Sequence, residues 1–301
     1  MLNDTNVLIL ALIGGILPAL FWLWFWIRED RLKPEPKSLL LVCFLGGILA
    51  VFLALFIELM IYYLFVNAEM PVADRRPLIF WLPLKNLVEQ FNLVNWQQTF
   101  WQPIENNLNQ ITWFIDHKIS AEKIFLTIIS APIIEETLKL IFAHRLALNK
   151  KTNDEPIDAS IYLLTTALGF AAVETALFLT SPISKGQIID TLIADNFRSI
   201  GPMLIHLVCS AILGIFIGRA FYKRKIIKFF SVVGGLIVAI LLHASFNLLI
   251  TLNETTKQVS YFWLATLETW FLVVILLVLF NQIKRIKKTT LKARNKIENL
   301  V

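Results

Sequence analysis

Long apolar runs, separated by short charged or proline-bearing breaks, dominate the chain. Seven of them are long enough for a helix to cross the roughly 30 Å of hydrocarbon in a bilayer. They cover residues 6–27, 38–66, 123–148, 157–181, 198–221, 226–251 and 261–283. Membrane barrel strands would alternate over about 10 residues, whereas these runs are continuous over about 20 or more. The pattern predicts an all-α fold, a polytopic transmembrane helix bundle of about seven spans. The first run has no basic leader or small-residue cleavage site and is read as a retained span. Trp22, Trp24 and Trp26 crowd its end, as an interfacial aromatic belt would. Pro34 and Pro36 in the next break forbid a continuous helix, so the chain turns back there.

One stretch departs from the pattern. Residues 67–122 are only intermittently apolar, are punctuated by Pro71, Pro77, Pro83 and Pro103, and set Trp81, Trp96, Trp101 and Trp113 among Asn and Gln. That composition suits an extracytoplasmic insertion resting at the membrane surface. Residues 1–283 are therefore expected to form one membrane-embedded bundle. Residues 284–301 carry seven Lys or Arg and read as a basic cytoplasmic tail, a surface helix against anionic headgroups.

Composition agrees with the pattern: 57% of the 301 residues are hydrophobic and only 17% are charged. The net charge of +6 does not point to nucleic acid, because the Lys and Arg sit at the ends of apolar runs and not on a face with stacking or base-reading side chains. It orients the bundle instead. With the amino terminus out and the carboxyl terminus in, the inner breaks and tail collect nineteen of the 28 Lys and Arg, among them Arg28, Arg31, Arg145, Lys150, Arg219 and Arg224. Cys43 and Cys209 fall inside apolar runs without metal or redox spacing and read as small buried hydrophobes.

Against this apolar background the stretch Ser130-Ala131-Pro132-Ile133-Ile134-Glu135-Glu136-Thr137-Leu138-Lys139 is costly. Each charge at a helix centre is disfavoured by about 2.5–3.5 kcal/mol, so three within five positions need partners. Glu174 in the fourth run, His206 in the fifth and His243 in the sixth fall at similar depth, between the midplane and the outer surface. Ionisable groups inside a membrane normally face one another or a wet cavity. Lys139 lies between the directions of Glu135 and Glu136, so it can pair with either or both, and one glutamate is left to face the cavity. His206, Ser210, Gly214 and Gly218 form one stripe, and Gly235, Ala239, His243 and Asn247 another, which places both histidines on packed faces. Glu58 and Glu268 also lie in apolar runs but belong to no motif.

Carboxylates and imidazoles around water suggest hydrolysis. A buried glutamate takes a proton from water while a histidine or Asn247 stabilises the oxyanion. A metal fits the same parts: His206, His243 and one carboxylate, with Glu174 the candidate, would make a three-ligand zinc site, leaving another glutamate as base. No H-E-x-x-H helix is present, so water-only chemistry stands beside zinc. Two other classes compete: an ion- or proton-coupled transporter, which would favour broken helices and repeated halves, and a catalytically inactive membrane scaffold.

In this order the residues resemble the PrsW family of intramembrane proteases, related to the CAAX-protease and bacteriocin-processing group. The likeness begins at Asp30-Arg31-Leu32-Lys33-Pro34-Glu35-Pro36 and resumes at Ala131-Pro132 with Glu135-Glu136 and Lys139. It continues through Asp154-Glu155-Pro156-Ile157-Asp158, Gly169-Phe170-Ala171-Ala172-Val173-Glu174, His206, and His243-Ala244-Ser245-Phe246-Asn247. The resemblance implies a multi-pass protein of a prokaryotic cell membrane. It would act as an endopeptidase on a membrane-anchored protein such as an anti-sigma factor, cut on its extracytoplasmic side in regulated proteolysis. The implied catalytic residues are Glu135, Glu136, Glu174, His206, His243 and Asn247, with Lys139 supporting. The chain departs from the family pattern at Thr175, where Asn is expected after the glutamate, and at Ala159 and Leu163, where glycine is expected.

Overall fold

The computed structural model describes residues 4–28, 34–69, 121–184, 196–256 and 258–298. They form seven α-helices: α1 (Asp4–Ile27), α2 (Lys37–Glu69), α3 (Ala121–Ala143), α4 (Asp158–Ser184), α5 (Asn196–Arg219), α6 (Lys225–Thr256) and α7 (Val259–Glu298). Among the described residues there is no strand. Most of the Trp-rich stretch 67–122 lies outside the described residues, as do Asp30 to Lys33.

Six of the seven helices are long and apolar enough to cross a membrane; the other is α3, which carries Glu135, Glu136 and Lys139 within five positions. A π-helical turn, His144–Leu148, extends α3, and the Asn153 amide donates to the Leu148 carbonyl to close its end. At the other end of the chain the basic tail does not start a new surface helix. α7 runs without a break to Glu298, so helical hydrogen bonding carries the tail straight on from the last span.

Helices α4 and α5 form the centre and are mostly buried along their spans, whereas α6 is mostly exposed. α1, α2 and α5 pack on α4; α6 and α7 pack on α5; α3 lies between α2 and α6. Lipid gives helices no hydrophobic reason to associate, so close backbone approach carries the packing. Gly47 of α2 rests on the Thr166 carbonyl and Phe170 amide of α4, and Gly169 of α4 rests on the Phe44 backbone of α2. In the α5 stripe Gly214 abuts the Ser160 backbone and Gly218 the Pro156 carbonyl, so the face that carries His206 is the one pressed against α4. Trp26 is not a belt residue: it is fully buried, with its ring 4.9 Å from Phe280 of α7, whereas Trp24 is exposed.

The connections α1–α2 and α3–α4 meet at one end, where the buried Tyr162 hydroxyl donates to Glu35 of the Pro34-Glu35-Pro36 turn. Asp158 accepts there from the Asp154 and Glu155 amides at 2.8 and 2.6 Å. These contacts place the motif residues of both connections beside the first turn of α4.

Candidate active site

Three helices meet around the Lys139 ammonium. The i to i+3 spacing brings Lys139 Nζ to 2.7 Å from Glu136 Oε1, and the i to i+4 spacing brings it to 3.6 Å from Glu135 Oε2. Lys139 and Glu136 are fully buried, and the ammonium also lies 4.4 Å from the centre of the Phe170 ring of α4. Pro132 sits in α3 and Pro202 in α5 one turn before Glu136 and His206 respectively, and each removes one helical amide donor near the site.

The hydrogen bonds fix a role for each imidazole. Lys139 Nζ is 2.6 Å from His206 Nδ1, and because an ammonium only donates, Nδ1 accepts. His206 Nε2 then carries the proton and donates to Glu174 Oε2 at 2.5 Å. The His243 Nδ1–H donates to Glu136 Oε1 at 3.0 Å, which leaves Nε2 as an acceptor, 3.9 Å from Glu135 Oε2. The two rings stand edge to face with centroids 4.7 Å apart.

The two adjacent glutamates are thereby distinguished. Glu136 receives three donors: Lys139, the His243 Nδ1–H and the Ser210 hydroxyl at 3.1 Å. Glu135 is also buried, yet its Oε2 has no hydrogen-bond donor among the described residues. A buried acceptor without a donor is where a water molecule would give a hydrogen.

The structure brings Glu135, Glu136, Lys139, Glu174, His206 and His243 together. Asn247 lies one turn of α6 beyond His243, is half-buried, and its amide takes no part in these bonds among the described residues. Thr175 is buried beside Glu174, and Ala159 and Leu163 are fully buried in α4. Among the described residues, the group whose potential metal-ligating atoms all lie within 4.8 Å of one another is Glu135, Glu136, His206 and His243. Glu174, expected as the carboxylate ligand, instead accepts from the far side of the His206 ring. Two imidazoles and two carboxylates are a donor set that zinc accepts, so the residues fit a metal. The Lys139 ammonium is its competitor for Glu136 and His206.

Sequence reasoning did not give parts to Ser210, Phe170 or Glu58. Ser210 stood in the His206 stripe one turn along, which was a usable signal; Phe170 carried none beyond its place in a motif. Glu58 lies within electrostatic reach of Glu174, Lys139 and Glu135, although its run has no motif.

A sequence model described as "PrsW family intramembrane metalloprotease" matches residues 93–281. The chain belongs to the PrsW family. Curated PrsW relatives are similar over shorter stretches. Protease PrsW of Geobacillus kaustophilus is 26% identical over 163 residues, 52% of this chain and 68% of that protein. Protease PrsW of Shouchella clausii is 30% identical over 118 residues, 39% of this chain and 51% of that protein. Protease PrsW of Bacillus subtilis is 24% identical over 143 residues, 46% and 62%. No solved structure matches the chain. The PrsW match covers all four helices that supply the joined site residues, α3 to α6.

Proposed function

We propose that the protein is an intramembrane endopeptidase that hydrolyses a peptide bond in a membrane-anchored protein of the anti-sigma-factor type. The observation that carries the reading is the asymmetry of the acidic pair: Glu136 saturated by three donors, Glu135 buried with an acceptor left open. Glu135 is the base. It takes a proton from the attacking water and passes it to the leaving amine nitrogen as the peptide bond breaks. Glu136 acts on His243, holding the ring so that Nε2 faces the reaction space, as a carboxylate behind a ligating or catalytic histidine does. Lys139 neutralises Glu136, and Glu174 orients His206. His206 and His243 would hold a metal once Lys139 gives up His206, and the ion would supply polarisation of the substrate carbonyl and a more acidic water.

The bundle faces the membrane with its amino terminus out and its basic tail in. The support is the Lys and Arg excess in the α1–α2, α3–α4 and α5–α6 connections and in the tail. Glu135, Glu174, His206 and His243 then sit toward the extracytoplasmic side, where such a substrate would be cut.

The test is to make Glu135→Gln and Glu136→Gln separately and follow fragment release from a co-expressed single-span substrate by immunoblot. Glu135→Gln should accumulate normally and lose about 10²–10⁴-fold in rate, the range expected for a positioned general base. Glu136→Gln should lower both accumulation and rate. Normal processing by Glu135→Gln sinks the reading, and altered ion flux in that variant would favour transport instead.

A further inference from the structure

Three of the four possible metal ligands turn an atom toward one point, and Lys139 Nζ stands at it. His206 Nδ1 lies 2.6 Å from that nitrogen, Glu136 Oε1 2.7 Å and Glu135 Oε2 3.6 Å, and the centre of the Phe170 ring is 4.4 Å away. The fourth, His243, donates at 3.0 Å to the same Glu136 oxygen. The possible ligands are thus gathered about an ammonium.

An ammonium and a metal ion exclude each other here. His206 Nε2 carries the proton given to Glu174, so Nδ1 is the lone pair the ring has to offer, and Lys139 holds it. An ion bound to that lone pair at about 2.0–2.1 Å would overlap the lysine nitrogen. Glu136 is fully buried and bonded to the same ammonium, so with no cation beside it its charge would be stranded in a low-dielectric interior. One cation or the other keeps the ligands together.

We propose that Lys139 is a built-in stand-in for the metal: its ammonium holds Glu136 and His206 in the ligating arrangement, and an ion binds by taking its place. The inference rests on the metal reading of the site and not on which bond the protein cuts. Lys139 is then a positioning residue that also sets metal affinity. An ion forms its bonds to these ligands only as the lysine's are broken, so the affinity is the difference, and the site releases its ion more readily than the same ligands without the lysine. The flexible four-carbon stem lets the charged head leave while α3 stays where it is.

The test uses the full-length protein in detergent, stripped with a chelator and freed of it, with zinc ion as the probe at one fixed pH. Affinity is read by competition with a colorimetric zinc indicator, and His206→Ala/His243→Ala sets the background. Lys139→Met should bind zinc about tenfold tighter than the wild type or better, because the ion then relieves a stranded carboxylate instead of displacing its partner. Zinc should also raise the melting midpoint of Lys139→Met by more than it raises that of the wild type. Should Lys139→Met not fold, Glu136→Gln and Lys139→Met/Glu136→Gln supply the same comparison. Lys139 still holds His206 in the first of these, so the double variant should bind zinc the tighter.

Zinc binding no greater than background in the wild type and in the lysine variants sinks the metal reading, and the stand-in with it. Binding by the wild type that is equal or weaker in the lysine variants overturns the stand-in alone. Lys139 would then be a charge that supports the bound ion from beside it.

Discussion

Lys139 is a fully buried ammonium whose partners are Glu136 at 2.7 Å, His206 at 2.6 Å and the face of Phe170. Breaking such a pair from one side leaves an uncompensated charge in a low-dielectric interior, a loss of about 3–5 kcal/mol. Lys139→Met should therefore lower the thermal midpoint in detergent sharply. Adding Glu136→Gln to it should recover part of the loss, because the stranded carboxylate is then neutral. A double variant no more stable than Lys139→Met would refute the pairing. The lysine and its two glutamates could be read from spacing alone, since i+3 and i+4 neighbours share a helix face. Which glutamate faces the wet side could not. That depends on Ser210 and His243 arriving from α5 and α6 to fill Glu136, and no local pattern in α3 encodes them. Glu58 was hidden for the same reason: an acid in an apolar run gives its depth but not its neighbours.

Backbone proximity, not apolar burial, sets how α2, α4 and α5 seat against each other. A Cβ on Gly47 would enter the space of the Thr166 carbonyl and Phe170 amide, atoms that move only with the whole of α4. Gly47→Ala should accordingly cost about 1–3 kcal/mol and misplace the helix that carries Glu174. Gly234 of α6 is the control. Its nearest neighbour is Phe216 at 4.0 Å, so Gly234→Ala should be neutral or gain up to about 1 kcal/mol from helix propensity. Melting curves of the two variants side by side decide the matter; equal losses would mean that the packing is not backbone-limited. The apolar runs located all seven helices to within a few residues, apart from the far end of α7, because span length and flanking charge are local properties. The continuation of α7 through the tail was not legible, since polar residues of good helix propensity look alike on a surface helix and on an extended span. Trp26 was misread for a related reason: a tryptophan near a span end suits an interfacial belt and a helix contact equally well until the partner, Phe280, is known.

At the scale of the whole molecule, the fold draws side chains from α3, α5 and α6 into one buried group of possible ligands, with Glu174 of α4 against His206. If that group holds a metal, protein purified without chelator should carry close to one equivalent of zinc or a similar ion per chain. The His206→Ala/His243→Ala double variant should carry none while still eluting as a folded species. A chelator should stop substrate cleavage in the wild type, and added zinc should restore it. Full cleavage by rigorously metal-free protein would leave Glu135 to act on water unaided.

Cys43 and Cys209 are the chain's only cysteines, and both are wholly enclosed between helices. The native protein should thus be silent toward water-soluble maleimides, with no thiol to engineer away. A single reporter cysteine added beyond residue 284 can then be tagged in intact cells and in inverted vesicles. Tagging confined to the inverted vesicles would place the tail in the cytoplasm, and tagging of intact cells would turn the whole bundle over.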